Sequence, residues 1–221
     1  MDYNTLQMYT IAVKAYMEQR KKLVVRDDFF EILCEGIAGF LAYWTGNTYV
    51  GNKKTSAETA IFQEFFRSLN SLVTLLKDEK ISPTKEEREL VNSLVYNGKV
   101  YRYLGYSSPT KKKHIEPIFN DVYVSWSKNK KICYIESKLY GCMTRLHCTI
   151  PPNMVGFDLE GFQEFHNNHF ESKVWIARGE EREVVFPTIK ETIYRIEYLC
   201  KVKVRLWQWW VSQLSKRKIT A

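Results

Sequence analysis

The chain has 221 residues, a formal net charge of +8 and 45% hydrophobic residues, enough to bury the core of one domain or of two small lobes. Its longest apolar stretch, Phe29 to Trp44, contains Glu31 and Glu35 and is shorter than the roughly 20 residues that cross a bilayer. Because the first residues also do not resemble a signal peptide, we expect a cytoplasmic protein without a membrane span.

Residues 1–95 have the apolar periodicity of α-helices. Apolar residues recur on one stripe of a first helix between Leu6 and Met17, and Asp28 is placed to cap a second helix. Thr55 and Glu58 have the spacing of a capping box for a third. A fourth begins near 82–84, with a proline in its first turn. These patterns predict a helical lobe over residues 1–95.

Residues 96–221 are rich in β-branched and aromatic residues and predict a β-rich core. One helical insertion is expected near 129–139. The predicted strands lie at 99–104, 122–126, 144–150, 173–176, 183–186 and 192–196. An all-helical lobe followed by a mostly antiparallel core is an α+β arrangement.

The excess of positive charge lies entirely in the second region. Residues 1–95 contain 12 Lys and Arg against 13 Asp and Glu, whereas residues 96–221 contain 21 against 12. The second region therefore has a net charge of +9, which attracts anions such as dinucleotides, RNA or an acidic protein surface. A lysine-rich solvated surface explains the same counts without any ligand.

The cysteines and histidines do not predict a metal site. An odd number of cysteines without Cys-x-x-Cys spacing favours reduced, mostly buried thiols. These cysteines are Cys34, Cys133, Cys142, Cys148 and Cys200. His166 and His169 are three residues apart, but no further residue is spaced to complete a metal shell, so we expect a polar loop there.

Glu181 and Glu183 stand two residues apart at the start of an apolar run that ends at Pro187. In an extended segment such residues point to one face. Two carboxylates held that closely repel each other unless a cation or donor compensates. The pair therefore indicates a functional site at the start of this strand.

Three motifs on predicted strands follow one another along the β-rich region. They are Tyr101-Arg102, Ser125-Trp126-Ser127, and Glu181-Arg182-Glu183 followed by the apolar run. In this order and context, residues 98–198 resemble the mono-ADP-ribosyltransferases of the R-S-E class. The chain departs from that pattern at Tyr103, where the family often has glycine, and at Trp126, where it favours threonine. Both departures affect the shape of the expected nicotinamide pocket.

The resemblance implies a β-sandwich core of ADP-ribosyltransferase type that binds NAD as a substrate in a cleft. Glu183 would stabilise the oxocarbenium-like charge on the ribose, and Glu181 would orient or deprotonate the acceptor. Arg102 would clamp phosphate. Ser125 would bond the catalytic carboxylate and the ribose, while Ser127 would support the strand or the same network. The aromatic that stacks on nicotinamide is left open between Tyr134 and Tyr140, and Tyr103 is also expected to contribute to NAD binding.

In the family that the chain resembles, a glutamate at the position of Glu181 accompanies arginine acceptors, so we expect protein arginine to be the acceptor. The protein would then act as a bacterial toxin or phage effector, and an inhibitory partner or antitoxin could restrain it. The segment 165–178 would contact the acceptor, with Trp175 packed inside the protein. The tryptophans at 207–210 are expected to pack on the helical lobe. Two alternatives stay open: the same fold acting on nucleic acid, and a non-catalytic basic module in which Arg102 and the serines are structural.

Overall fold

The computed structural model describes residues 3–22, 27–48, 56–105, 122–131, 143–176, 182–189 and 195–199. Five α-helices are described over these ranges, together with a short 3-10 helix at Glu79–Ile81. The helices are α1 (Tyr3–Lys21), α2 (Asp27–Thr48), α3 (Ser56–Leu76), α4 (Lys85–Leu94) and α5 (Leu159–His169).

Seven described strands form a single antiparallel sheet in the order β1-β5-β6-β3-β2-β4-β7. The strands are β1 (Val95–Tyr96), β2 (Lys99–Gly105), β3 (Tyr123–Ser127), β4 (Met143–Thr149), β5 (Gly156–Asp158), β6 (Glu183–Pro187) and β7 (Arg195–Leu199). The predicted α+β class is confirmed. The described strands belong to one hydrogen-bonded sheet, whereas a sandwich has two packed sheets. The finer prediction, a sandwich of ADP-ribosyltransferase type, therefore stays a prediction.

The change from helix to strand falls where the composition changes, with α4 ending at Leu94 and β1 beginning at Val95. The fourth helix starts differently from the prediction. Thr84 is the N-cap and exchanges hydrogen bonds with Glu87 in a capping box, so Pro83 precedes the helix instead of lying in its first turn. The capping box proposed at Thr55 lies outside the described residues.

Two predictions for the region before β6 are wrong. The segment around His166 is not a polar loop, because it belongs to α5, which Asp158 caps through Gly161 N at 3.1 Å. Residues 173–176 are not a strand. Side chains of α5 hold this segment instead: Asn167 bonds both backbone groups of Val174, and Gln163 accepts from Ile176 N at 2.6 Å.

The helices pack on one face of the sheet through an aromatic core. Phe66 of α3 is fully buried and stacks on Tyr123 of β3 and on Phe157 of β5, with ring centroids 5.4 and 5.7 Å apart. Gln63, one turn earlier, bonds both the backbone N and O of Tyr123. One hydrophobic cluster thus contains residues of the four N-terminal helices and of the sheet.

A second, smaller cluster covers the opposite face of the sheet. Alternation along β6 places Val184 and Phe186 in this cluster, whereas Glu183 and Val185 face the helices. Trp126 of β3 belongs to the second cluster, where its indole N–H donates to the Phe186 carbonyl at 3.2 Å.

Among the described helices, none has the length and hydropathy needed to cross a bilayer.

Candidate functional site

The three sequence motifs meet at the centre of the sheet because β6, β3 and β2 are neighbours. Glu183, the first residue of β6, is paired with Ser127 of β3. Ser127 is paired in turn with Tyr101 of β2. Residues directly opposite each other share a face, so the acidic and serine motifs approach the helices from the same side of the sheet.

Glu183 is buried, with 6% of its surface exposed. Its Oε1 atom accepts a short hydrogen bond from Ser125 Oγ and a second one, 2.9 Å long, from the indole N–H of Trp44. No hydrogen bond from the described residues reaches Oε2. A buried carboxylate requires donors to offset the loss of hydration. Here both described donors hold one oxygen, which orients the other.

Arg102 lies where β2 and β3 separate. Tyr101 and Ser127 form the single described residue pair between these two strands, and β2 continues beyond it to Gly105. The guanidinium of Arg102 donates from Nη1 to the backbone carbonyl of Ser125 at 2.8 Å. This bond satisfies a carbonyl of β3 where no further pairing with β2 is described. It also places a permanent positive charge beside Ser125, the residue whose hydroxyl bonds Glu183.

Ser127 is close to the site, but its hydroxyl is used locally. Oγ accepts from the backbone N of Asn129 at 2.8 Å and donates to the carbonyl of the same residue at 3.2 Å. Such a bond ends a strand by turning the chain. The two serines of the motif therefore differ: the Ser125 hydroxyl contacts Glu183, whereas the Ser127 hydroxyl shapes the turn after β3.

Strand alternation does not relate Glu181 to Glu183 as predicted, because the residue between them is not extended. Arg182 has a φ of 46°, in the left-handed region, and the strand begins only at Glu183. Glu181 itself lies outside the described residues. The carbonyl of Arg182 accepts from Lys128 N at 3.0 Å, which fixes the entry into β6.

An ionic cluster surrounds this entry. Lys128 Nζ lies 2.8 Å from both carboxylate oxygens of Asp158 and 2.9 Å from Glu160, and Arg182 Nε lies 3.4 Å from Glu160. Burial alone would lower the pKa of Lys128, but these two carboxylates outweigh it and raise that pKa. Lys128 therefore remains charged and links β3, α5 and the turn before Glu183.

Trp44 is the site residue that sequence reasoning missed. It lies near the end of α2, 139 residues before Glu183, and 3% of its surface is exposed. Its ring makes edge-to-face contacts with Phe62 and Phe66 of α3, with centroids 5.3 and 5.0 Å apart. Nothing in the local sequence distinguishes this tryptophan from an ordinary core residue, because its acceptor comes from a distant strand.

The remaining predicted ligands of NAD are placed only in part. Tyr103 lies in β2 opposite Arg145 of β4, and nothing is described of its side chain. Tyr134 and Tyr140 lie outside the described residues. On the same strand as Tyr103, Tyr101 is 5.9 Å from the Arg145 guanidinium.

Trp175 does not pack inside the protein as predicted. With 83% of its surface exposed it is the most exposed large apolar side chain described, although its neighbour Ile176 is fully buried. Because Asn167 and Gln163 fix the backbone on either side, the indole is held outward on a defined segment that precedes Arg182. The tryptophans at 207–210 lie outside the described residues.

The histidines and cysteines serve packing and capping in the described structure. His166 is fully buried with Nε2 3.3 Å from Glu35, without an aligned hydrogen bond, and His169 Nε2 lies 2.9 Å from Glu89. Cys34 and Cys148 are buried free thiols, and the other three cysteines lie outside the described ranges. Within those ranges, no group of three or more His, Cys, Asp or Glu is arranged to hold a metal.

The chain matches no protein-family model, and comparisons with curated proteins and with solved structures likewise gave no match.

Proposed function

We propose that the protein is an NAD-dependent mono-ADP-ribosyltransferase. The observation that carries this proposal is the bonded chain Arg102–Ser125–Glu183, in which three residues from three strands are joined by two hydrogen bonds. The sequence resemblance identified these residues as motif positions without information on their contacts. The bond from Ser125 to Glu183 joins two motif positions through their side chains, whereas Arg102 bonds the backbone carbonyl of Ser125.

The contacts suit the cleavage of a glycosidic bond. In the proposed reaction the bond between the ribose C1′ and the nicotinamide nitrogen breaks, and nicotinamide leaves with the bonding electron pair. A nucleophile of the acceptor then bonds to C1′ and loses a proton. The ribose acquires oxocarbenium character during this step, and a fixed carboxylate nearby lowers the energy of that charge. Glu183 would supply it through the oxygen that Ser125 and Trp44 do not hold.

Arg102 and the opening between β2 and β3 suggest where the diphosphate of NAD would bind. A guanidinium is always charged and can bond two phosphate oxygens at once. Arg102 lies opposite Leu146 of the second cluster, so its side chain leaves the sheet on the face opposite to Glu183 and bonds β3 at the Ser125 carbonyl. In the proposal NAD would pass this edge of β3, with the ribose at Glu183 on one face and the diphosphate at Arg102 on the other.

Protein arginine is the proposed acceptor, handled by Glu181 and contacted by the segment that carries the exposed Trp175. A glutamate at the earlier position of the acidic motif is what the resemblance associates with arginine acceptors. A nucleic-acid acceptor is the second candidate, because residues 96–221 have an excess of nine positive charges.

Labelled NAD and Glu183→Gln test the proposal. Incubation of the wild-type chain with NAD labelled in the adenine and with cell lysate should release nicotinamide and label a macromolecule. Label lost to protease but resistant to nuclease identifies a protein acceptor, and the reverse pattern identifies nucleic acid. Glu183→Gln keeps the shape of the side chain and removes its charge, so turnover should fall by about 100-fold or more. Turnover equal to that of the wild type would remove Glu183 from the mechanism.

A further inference from the structure

The contact between Trp44 and Glu183 gives the N-terminal helices a role in the site. Trp44 is the described residue of α1–α4 that bonds the Glu183 side chain, and it does so through a side chain that is itself almost completely buried. A buried indole N–H requires an acceptor. Its acceptor here is the carboxylate of the acidic motif, whereas the indole of Trp126, the other buried tryptophan among the described residues, donates to a backbone carbonyl.

The Trp44 indole is packed by aromatic residues of the helices as well as bonded to Glu183. Phe62 and Phe66 contact the Trp44 ring at interplanar angles of 88° and 83°, from successive turns of α3. Phe66 in turn stacks on strand residues of the sheet. This packed aromatic cluster therefore restricts the direction of the indole N–H bond independently of its bond to the carboxylate.

Ser125 and Trp44 divide the positioning of Glu183 between two parts of the fold. Ser125 belongs to the neighbouring strand, whereas Trp44 reaches the same oxygen from α2. One donor leaves a carboxylate free to rotate about its last bond, and a second donor from another direction restricts that rotation. Oε2 is then presented in one orientation.

We infer that Trp44 is a positioning residue for Glu183, so that α2 and α3 form part of the catalytic unit. This inference rests on the proposed function. Loss of the indole N–H should leave NAD able to bind but should present the carboxylate less well to the developing charge. The effect is therefore expected in kcat, with little change in KM.

Trp44→Phe tests the inference, with Tyr16→Phe as the matched control. Both substitutions remove a buried aromatic donor to a buried carboxylate, but Tyr16 Oη donates to Glu87 of α4, at 2.6 Å, within the helices. Trp44→Phe should lower kcat for nicotinamide release about 10- to 100-fold, the rate equivalent of one charge-assisted hydrogen bond. KM for NAD should change less than about threefold, and kcat of Tyr16→Phe should stay within about threefold of the wild type.

A readout independent of activity is the indole N–H resonance of Trp44, assigned in the wild-type chain through its couplings to the rest of that residue. It should move in Glu183→Gln, whereas the Trp126 resonance should not, and this comparison does not require Trp44→Phe to be stable. An unchanged kcat in Trp44→Phe, an equal fall in Tyr16→Phe, or a Trp44 resonance that does not move in Glu183→Gln would each overturn the positioning role. A wild-type chain that releases no nicotinamide refutes the proposed function itself, whereas turnover insensitive to Trp44→Phe refutes only the role of Trp44.

Discussion

Ser125→Ala separates the two serines of the Ser-x-Ser motif. Both serines lie on β3, two residues apart and on one face, but the Ser125 hydroxyl donates to Glu183 and the Ser127 hydroxyl bonds the backbone of Asn129. A hydrogen bond to a charged group contributes about 1.5–3 kcal/mol. If that energy serves to hold the carboxylate in its reactive orientation, its loss corresponds to about 10- to 150-fold in kcat.

The assay is nicotinamide release under saturating NAD, measured beside the free energy of unfolding of each variant. Ser125→Ala should show the full loss in kcat. Ser127→Ala removes a hydroxyl of the same kind from the same strand, so it should lose about 1 kcal/mol of stability at most and less than about fivefold in kcat. Both variants must be folded at the assay temperature, which the unfolding curves establish.

Equal losses of kcat in the two variants would refute this reasoning, because they would show that the motif acts as a unit through strand structure. Full activity in Ser125→Ala would show that Trp44 alone positions the carboxylate, or that Glu183 has no part in the reaction.

Two further predictions concern stability. Glu87 is 1% exposed and lies 2.8 Å from Arg20 Nε. Glu87→Gln leaves that buried cation without its counter-charge and should lower the free energy of unfolding, measured by chemical denaturation, by about 3 kcal/mol. Glu64→Gln, in the exposed ion pair with Lys14, should lower it by less than about 1 kcal/mol. A Glu87→Gln variant as stable as Glu64→Gln would contradict this. Burial lowers the pKa of His166 although Glu35 opposes the shift, so the neutral ring is the folded form. The unfolded state takes up more protons below about pH 6.5, and the stability present above that pH should be lost as pH falls. His166→Phe should flatten this dependence between pH 5 and 7.5, and identical slopes would exclude His166 as its source.

Local sequence was sufficient where neighbouring residues decide the outcome. Apolar periodicity identified the helices before Leu94, and β-branched runs identified β2, β3, β4 and β6 within one or two residues. These elements form because their side chains alternate or recur with the period of the element itself. The same local reasoning misassigned the region of α5, where polar residues such as Asn168 and His169 lie on the exposed side of a helix whose apolar side includes Phe162.

The alignment of the acidic motif could not be read from spacing alone. The prediction assumed extended backbone through Arg182, but the contacts of that residue with Lys128 and Glu160 accompany a left-handed conformation. These partners lie 54 and 22 residues away in the chain, by their residue numbers. A turn fixed by distant groups leaves no local signature.

The sequence by itself identified the candidate side chains of the proposed site and the strand that carries each of them: Arg102 on β2, Ser125 on β3 and Glu183 on β6. Strand propensity and side-chain identity are properties of short segments, so they can be read from the linear sequence. Only the tertiary structure decided that these strands are neighbours, that the Arg102 guanidinium bonds the Ser125 carbonyl, and that Trp44 reaches Glu183. Those facts depend on sheet order and on packing between segments up to 139 residues apart, because a hydrogen bond is set by distance and direction in space, not by position along the chain.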